Sequence, residues 1–217
     1  MMKLVSLYKR RPEVAVEAFH AHLLGLADAM QGADGAVRYV QSHTLIQGYK
    51  RGELLFDGVS EWTFGTPEAA RAARRSAAGV PLADAARTVH MLVDVHVAKP
   101  GAVPAGAVKN IEFVNRRPGM ALEPFRRYWR EVHGPIGARI STILRYEQNH
   151  LHAGEYADGA VPPYDGLAIT WFASTAEMRR GAETPEYEVT RADEVNFLPD
   201  GHLPIIITRE VVDTGAA

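Results

Sequence analysis

Cysteine is absent from the 217 residues, which excludes disulfides, iron–sulfur clusters, zinc ribbons and thiol nucleophiles. An excess of positive charge is also missing: 24 Lys and Arg stand against 26 Asp and Glu, a formal net charge of −2. Residues 1–98 hold 11 basic and 10 acidic side chains, and residues 99–217 hold 13 and 16. Neither half could neutralise a phosphate backbone, so nucleic acid is not an expected partner. No apolar run approaches the roughly 18 residues of a membrane span. The stretch Met1–Tyr8 is too short for a secretory core and gives way to Lys9-Arg10-Arg11, so a cytoplasmic protein is expected. Glycine-rich phosphate loops and dinucleotide fingerprints are lacking too. What is present, 47% hydrophobic and 23% charged residues, suits a globular protein able to bury a sizeable core.

The chain is written twice. Lys3-x-Val5-x-Leu7-x-x-Arg10-Arg11-Pro12 returns as Lys109-x-Ile111-x-Phe113-x-x-Arg116-Arg117-Pro118. Arg38-Tyr39-x-Gln41-x-His43 returns as Arg145-Tyr146-x-Gln148-x-His150, and Asp57-Gly58 as Asp165-Gly166. The offsets drift only from 106 to 108, which is the signature of a tandem repeat. Residues 99–108, rich in Pro and Gly, read as a linker between repeats 1–98 and 109–213.

Periodicity switches four times within a repeat. In the second, residues 109–115 alternate as a strand. Leu122, Phe125, Trp129 and Val132 then fall at helical spacing, and the helix is expected to stop at His133-Gly134-Pro135. Residues 143–150 and 166–172 read as strands, and Ser174-x-x-Glu177 has capping-box spacing for a second helix. Thr184-Pro185-Glu186 opens another helical turn, and residues 203–212 read as the last strand. The first repeat gives strands 3–8, 36–43, 57–64 and 88–97, with helices 14–30 and 67–86, the latter broken near Gly79-Val80-Pro81. The order βαββαβ makes a four-stranded antiparallel sheet with both helices on one face. Two such units are expected to press their bare faces together, with a ligand space between the sheets.

The second repeat resembles the EthD family of dimeric α+β barrel, ferredoxin-like proteins. The resemblance rests on Tyr128-Trp129-x-x-x-His133-Gly134-Pro135, Arg145-Tyr146-x-Gln148-Asn149-His150, Asp165-Gly166 and Ala192-Asp193-Glu194-x-Asn196-Phe197. The first repeat lacks the His-Gly-Pro element and has Ala27-Asp28-Ala29 there. The resemblance implies an intramolecular pseudo-dimer with one degenerate half, and a pocket for a small, rather apolar molecule. Family members are associated with degradation and polyketide tailoring. Related barrels include cofactor-free monooxygenases, isomerases, dehydratases and decarboxylases, and haem-binding relatives use a helical histidine. Fold alone does not choose among these.

His133 is the first candidate catalytic group, because a histidine at a helix end near neutrality can move a proton. The alternative is a histidine that only caps the last turn. Trp129, one turn earlier, could pack on the imidazole or on a flat substrate. Tyr146, Gln148 and His150 share one strand face, as do Tyr39, Gln41 and His43. They are expected to line the cavity from opposite sheets, His150 as a second catalytic candidate, unless they cap strand ends and satisfy backbone. Glu112 is a candidate base if it faces the cavity and a solvated edge charge if it does not. Trp171 is expected in the pocket wall. No metal site is marked by spacing, since His150-x-His152 lacks a third ligand.

These residues suggest a cofactor-independent enzyme, without metal, acting on a small aromatic or polyketide-like molecule. Acid–base lyase or isomerase chemistry through His133 leads, with a cofactor-free monooxygenase and a non-catalytic binder as alternatives. A small apolar substrate is the expected partner, and a homodimer of pseudo-dimers is an assembly open to the chain.

Overall fold

A computed structural model describes residues 1–33, 35–76 and 79–215. The elements of the first half are β1 (Met2–Tyr8), α1 (Val16–Gly25), α2 (Ala27–Gln31), β2 (Ala36–Thr44), β3 (Gly58–Phe64), α3 (Pro67–Ser76) and β4 (Val89–Lys99). The second half has β5 (Val108–Val114), α4 (Leu122–Tyr128), a π-helical turn Trp129–His133 and α5 (Gly134–Gly137). There follow β6 (Arg145–Leu151), β7 (Gly166–Phe172), α6 (Thr175–Gly181), α7 (Pro185–Asp193) and β8 (Ile205–Asp213). No helix among the described residues is long and apolar enough to cross a membrane.

Two compact units are present: Met1–Asp94 with the segment from Ile206 onward, and Val95–Ile205. In the first, antiparallel strands run in the order β4, β1, β3, β2, β8. The strand that the sequence repeat attributes to the second copy, β8, thus pairs with β2. Along β1 the even residues Met2 and Leu4 pack with Tyr39, Trp62 and Phe64 and with Ala27, Ala70 and Ala73 of the helices. Phe19 and Leu23, one turn apart on α1, close the other end over Tyr8. This is what strand alternation and a helical i, i+4 pair are built to do.

In the second unit β5 and β6 flank β7, both antiparallel. The rows across the sheet read Asn110–Thr170–Tyr146 and Glu112–Ala168–Gln148, all on one face. Above that face Phe125 packs against Trp129 and Phe197, at centroid separations of 5.6 Å and 6.0 Å. The expected cap at Ser174 is present, its Oγ accepting from Glu177 N at 3.2 Å. Thr184 caps α7 in the same way, accepting from Tyr187 N, with Pro185 in the first turn where a missing N–H costs nothing.

The repeated motifs explain themselves as fold-holding devices. Asp57 accepts the backbone N–H of Arg10 at 2.8 Å and the hydroxyl of Tyr49. Asp165 accepts the N–H of Arg116 at 2.8 Å and the hydroxyl of Tyr156. In each unit one carboxylate latches the loop after the first strand to the start of the third, which is why Arg-Arg-Pro and Asp-Gly recur together.

Candidate active site

The helix carrying His133 does not stop where Gly134 and Pro135 suggest. It widens into a π turn, Gly134 N donating to Trp129 O, and continues as α5 with Pro135 in its first turn. The extra residue gives the proline ring room it would lack in a regular helix. The Trp129 carbonyl also accepts from Gln148 Nε2 at 2.7 Å. A Cβ at Gly134 would stand 2.7 Å from that Nε2, and one at Gly166 would stand 2.7 Å from the Trp129 ring. Two glycines therefore let helix and strand approach closely enough for Gln148 to hold the π turn.

The π turn sets His133 inward, buried to 7% exposure. His133 Nδ1 lies 2.9 Å from Asp193 Oδ2. Asp193 also accepts from Tyr128 Oη at 2.6 Å and Asn196 Nδ2 at 3.1 Å. Against the cost of burial, these three bonds hold the Asp193 carboxyl below its usual range. An ionised Asp193 fixes the tautomer: Nδ1–H donates and Nε2 keeps a free lone pair. Burial pushes His133 below its ordinary value and Asp193 offsets part of that, so the imidazole is neutral at neutral pH. The expectation of a helix-terminal His133 is thereby corrected: the chain continues as helix past it, and desolvation outweighs the Asp193 contact.

His133 opens on a cavity of about 240 Å³ whose lining includes Asn110, Glu112, Tyr146, Arg179, Arg191 and Glu194, with Ile140, Ile143, Phe172 and Met178 as apolar wall. It lies between one face of the sheet and the helices that cover it, rather than in a space between sheets. Glu112 is the floor of this cavity and not a solvated edge charge. Burial, reinforced by Glu194, lifts its carboxyl to about 7, although Asn110 Nδ2 donates to its Oε1 at 3.0 Å. Glu194 is itself raised by burial, while Arg191 pairs with it and opposes the shift. Tyr146 accepts from Trp129 Nε1 at 3.2 Å and Gln148 Nε2 at 3.3 Å, which leaves its own O–H proton to be donated elsewhere. Its ionisation is driven far up by burial.

Of the residues expected to line a pocket, the structure brings together Glu112, His133 and Tyr146. Gln148, His150, Trp129 and Trp171 do not line it. His150 Nε2 donates to Gln148 Oε1 at 3.3 Å, and its ring packs on Trp129 at 4.4 Å. Burial, with Arg126 next in effect, depresses it to about 3, too low for acid–base work at neutral pH. Trp171 is on the opposite face of β7, with Lys109 Nζ 5.2 Å from its ring centroid. Tyr39, Gln41 and His43 repeat the structural arrangement in the first unit. Gln41 Nε2 donates to Leu23 O at 2.9 Å, beside the break between α1 and α2, and His43 bonds Gln41 Oε1 at 3.1 Å. Both triplets face their own helices and brace a helix break. Ser6 and Ala27 stand where Glu112 and His133 stand in the second copy, so the first unit has neither group.

Sequence reasoning gave no role to Asp193, Asn110, Arg179, Arg191 or Glu194. The signal for Asp193 and Glu194 was present in the Ala192–Phe197 motif; that for Asn110 was its place two residues before Glu112 on the same face. Among the described residues no group of three His, Asp or Glu comes together as a metal ion would need.

Residues 117–200 match the model of the EthD domain. The matched segment is similar to the EthD domain and spans less than half of the chain. It contains His133, Tyr146 and Asp193, whereas Asn110 and Glu112 lie before it. Among solved structures the chain resembles a "putative monooxygenase" of Lactobacillus acidophilus NCFM, 12% identical over 98% of this chain and 94% of that one, TM-score 0.57. It also resembles an "anthrone oxidase-like protein", 9% identical over 98% and 92%, TM-score 0.64. A third likeness is to a "putative chlorite dismutase", 11% identical over 97% and 94%, TM-score 0.58. Identities this low establish the α+β fold alone and leave the chemistry to the matched segment and its surroundings. No curated protein is significantly similar in sequence.

Proposed function

We propose that this protein is a cofactor-independent enzyme that moves a proton on a small, mainly apolar or aromatic molecule, in an elimination or isomerisation of the dehydratase kind. The observation that carries the reading is that Glu112 and His133, the latter held by Asp193, line one cavity. Its volume, about 240 Å³, falls below the roughly 300–1,000 Å³ usual for drug-sized ligands, so the substrate is small. Neutral His133 takes a proton from carbon at Nε2, and Asp193 stabilises the imidazolium that forms. Glu112, close to half protonated at pH 7, delivers a proton to the departing hydroxyl, which leaves as water. The Tyr146 hydroxyl donates to oxygen on which negative charge develops.

A second reading, oxygenation, is favoured by the names of the structural relatives. The same base would form a carbanion that reduces O2 and gains a C–O bond. The resulting hydroperoxide then loses water to leave a ketone. Product formed without oxygen uptake supports elimination, and stoichiometric uptake supports oxygenation. Under either reading His133→Ala lowers kcat by roughly 10²–10⁴-fold with the fold intact. An unchanged rate, or a wild-type protein that binds ligands but turns over none of a panel of phenols, lactones and hydroxy acids, would contradict it.

A further inference from the structure

Two groups in the cavity wall lack the partners their surroundings call for. Asn110 is 6% exposed; its Nδ2 is engaged by Glu112, and its Oδ1 has no hydrogen-bond partner. A buried carbonyl oxygen left bare costs free energy that a ligand donor would recover. At the solvent-facing end, Arg179 belongs to the lining and is exposed. Arg191 is paired with Glu194, and His133 with Asp193. The Arg179 guanidinium has no ion-pair or hydrogen-bond partner among the described residues. Its neighbour Arg180 is bound to Glu177, so the acidic residue of that helix is already used.

The cavity therefore offers one buried acceptor and one exposed cation without partners, in a lining that also includes the apolar Ile140, Ile143, Phe172 and Met178. We infer that it selects small hydroxy acids: the ligand hydroxyl donates to Asn110 Oδ1 at the buried end, and the ligand carboxylate pairs with Arg179 at the open end. This deepens the proton-transfer reading and rests on it for the choice of cavity. A hydroxyl held by Asn110 has its oxygen beside the Glu112 carboxyl, which is the group available to protonate it.

The test is equilibrium binding, which needs no turnover. Wild type, Arg179→Gln and Asn110→Ala, each checked for cooperative thermal unfolding, are titrated with 4-hydroxybenzoate, 4-hydroxybenzamide and benzoate. Wild type should bind 4-hydroxybenzoate about tenfold tighter than either analogue, the size expected for one charge-assisted contact or one buried polar partner. Arg179→Gln should erase the preference over the amide and keep that over benzoate; Asn110→Ala should do the reverse. Equal binding of all three by wild type would overturn the inference and mean that water, or nothing, meets Asn110. So would a carboxylate preference that survives in Arg179→Gln, or no binding at about 10 mM. If Asn110→Ala does not fold, the wild-type comparison of benzoate with 4-hydroxybenzoate still decides that half. His133→Ala should bind like wild type, so selective binding without turnover would sink the reaction and leave the ligand class standing.

Discussion

Replacing Glu112 by Gln should remove a pH-dependent strain on the folded state. The carboxyl moves from its ordinary 4.5 to about 7 on folding, chiefly through burial. Between those values the folded protein holds a proton that the unfolded chain has released. Stability therefore falls as pH rises through this window, and the loss is complete above about 7. Two and a half units at 1.36 kcal/mol each make roughly 3 kcal/mol, an order-of-magnitude figure. Gln keeps the acceptor for Asn110 and does not ionise. Glu112→Gln should therefore match wild type near pH 4.5 and exceed it by roughly 3 kcal/mol at pH 8. Urea unfolding of both proteins at half-unit steps from pH 4.5 to 8.5 reads the difference directly. Groups not coupled to Glu112 titrate alike in both proteins and cancel in the subtraction, whereas the coupling of Glu194 to Glu112 stays in the difference. Parallel pH profiles for the two proteins would refute the placement of Glu112 in a poorly solvated cavity.

Turnover should decline above pH 7 as Glu112 loses its proton, and decline again at low pH once His133 is protonated; a pH–rate profile of kcat/KM gives both limbs. Asp193→Asn should lower kcat at least tenfold while KM changes little, because the imidazolium loses its counter-charge; an unchanged kcat would remove Asp193 from the machinery. Gln148→Leu should cost roughly 1–3 kcal/mol and also reduce kcat, since the π turn that aims His133 loses its brace. Gln41→Leu should cost a similar amount with activity retained, and equal kcat losses in the two variants would contradict the division of labour between the repeats. Gly166→Ala should destabilise by roughly 1–3 kcal/mol by forcing the Trp129 ring off the strand, measurable by denaturant unfolding.

Much of the architecture was legible because it is written twice. The strand read at residues 166–172 matches β7 to the residue, and the Ser174-x-x-Glu177 capping box and Thr184-Pro185-Glu186 marked the starts of α6 and α7. The π turn was not legible, since Gly134-Pro135 carries the chemistry of a helix stop and only a tertiary contact from Gln148 holds it open. The same contact explains why the Tyr-Gln-His triplets misled. A polar strand face looks like a binding surface from sequence, yet here each amide satisfies a carbonyl at a helix break. At the cavity, Tyr146 is shared with the first copy as Tyr39, while the proposed acid and base are where the copies differ: Glu112 against Ser6, His133 against Ala27. Periodicity could not choose a side for Glu112, because both faces of a covered sheet are enclosed; the pairing with Asn110 and the helices above it decided that.

The most direct measurement is a crystal structure of the protein with 4-hydroxybenzoate bound. The account predicts ligand density in the second-unit cavity, with an oxygen or reacting carbon within hydrogen-bonding reach of both Glu112 and His133 Nε2. Ligand density elsewhere, with that cavity filled by side chains, would contradict it.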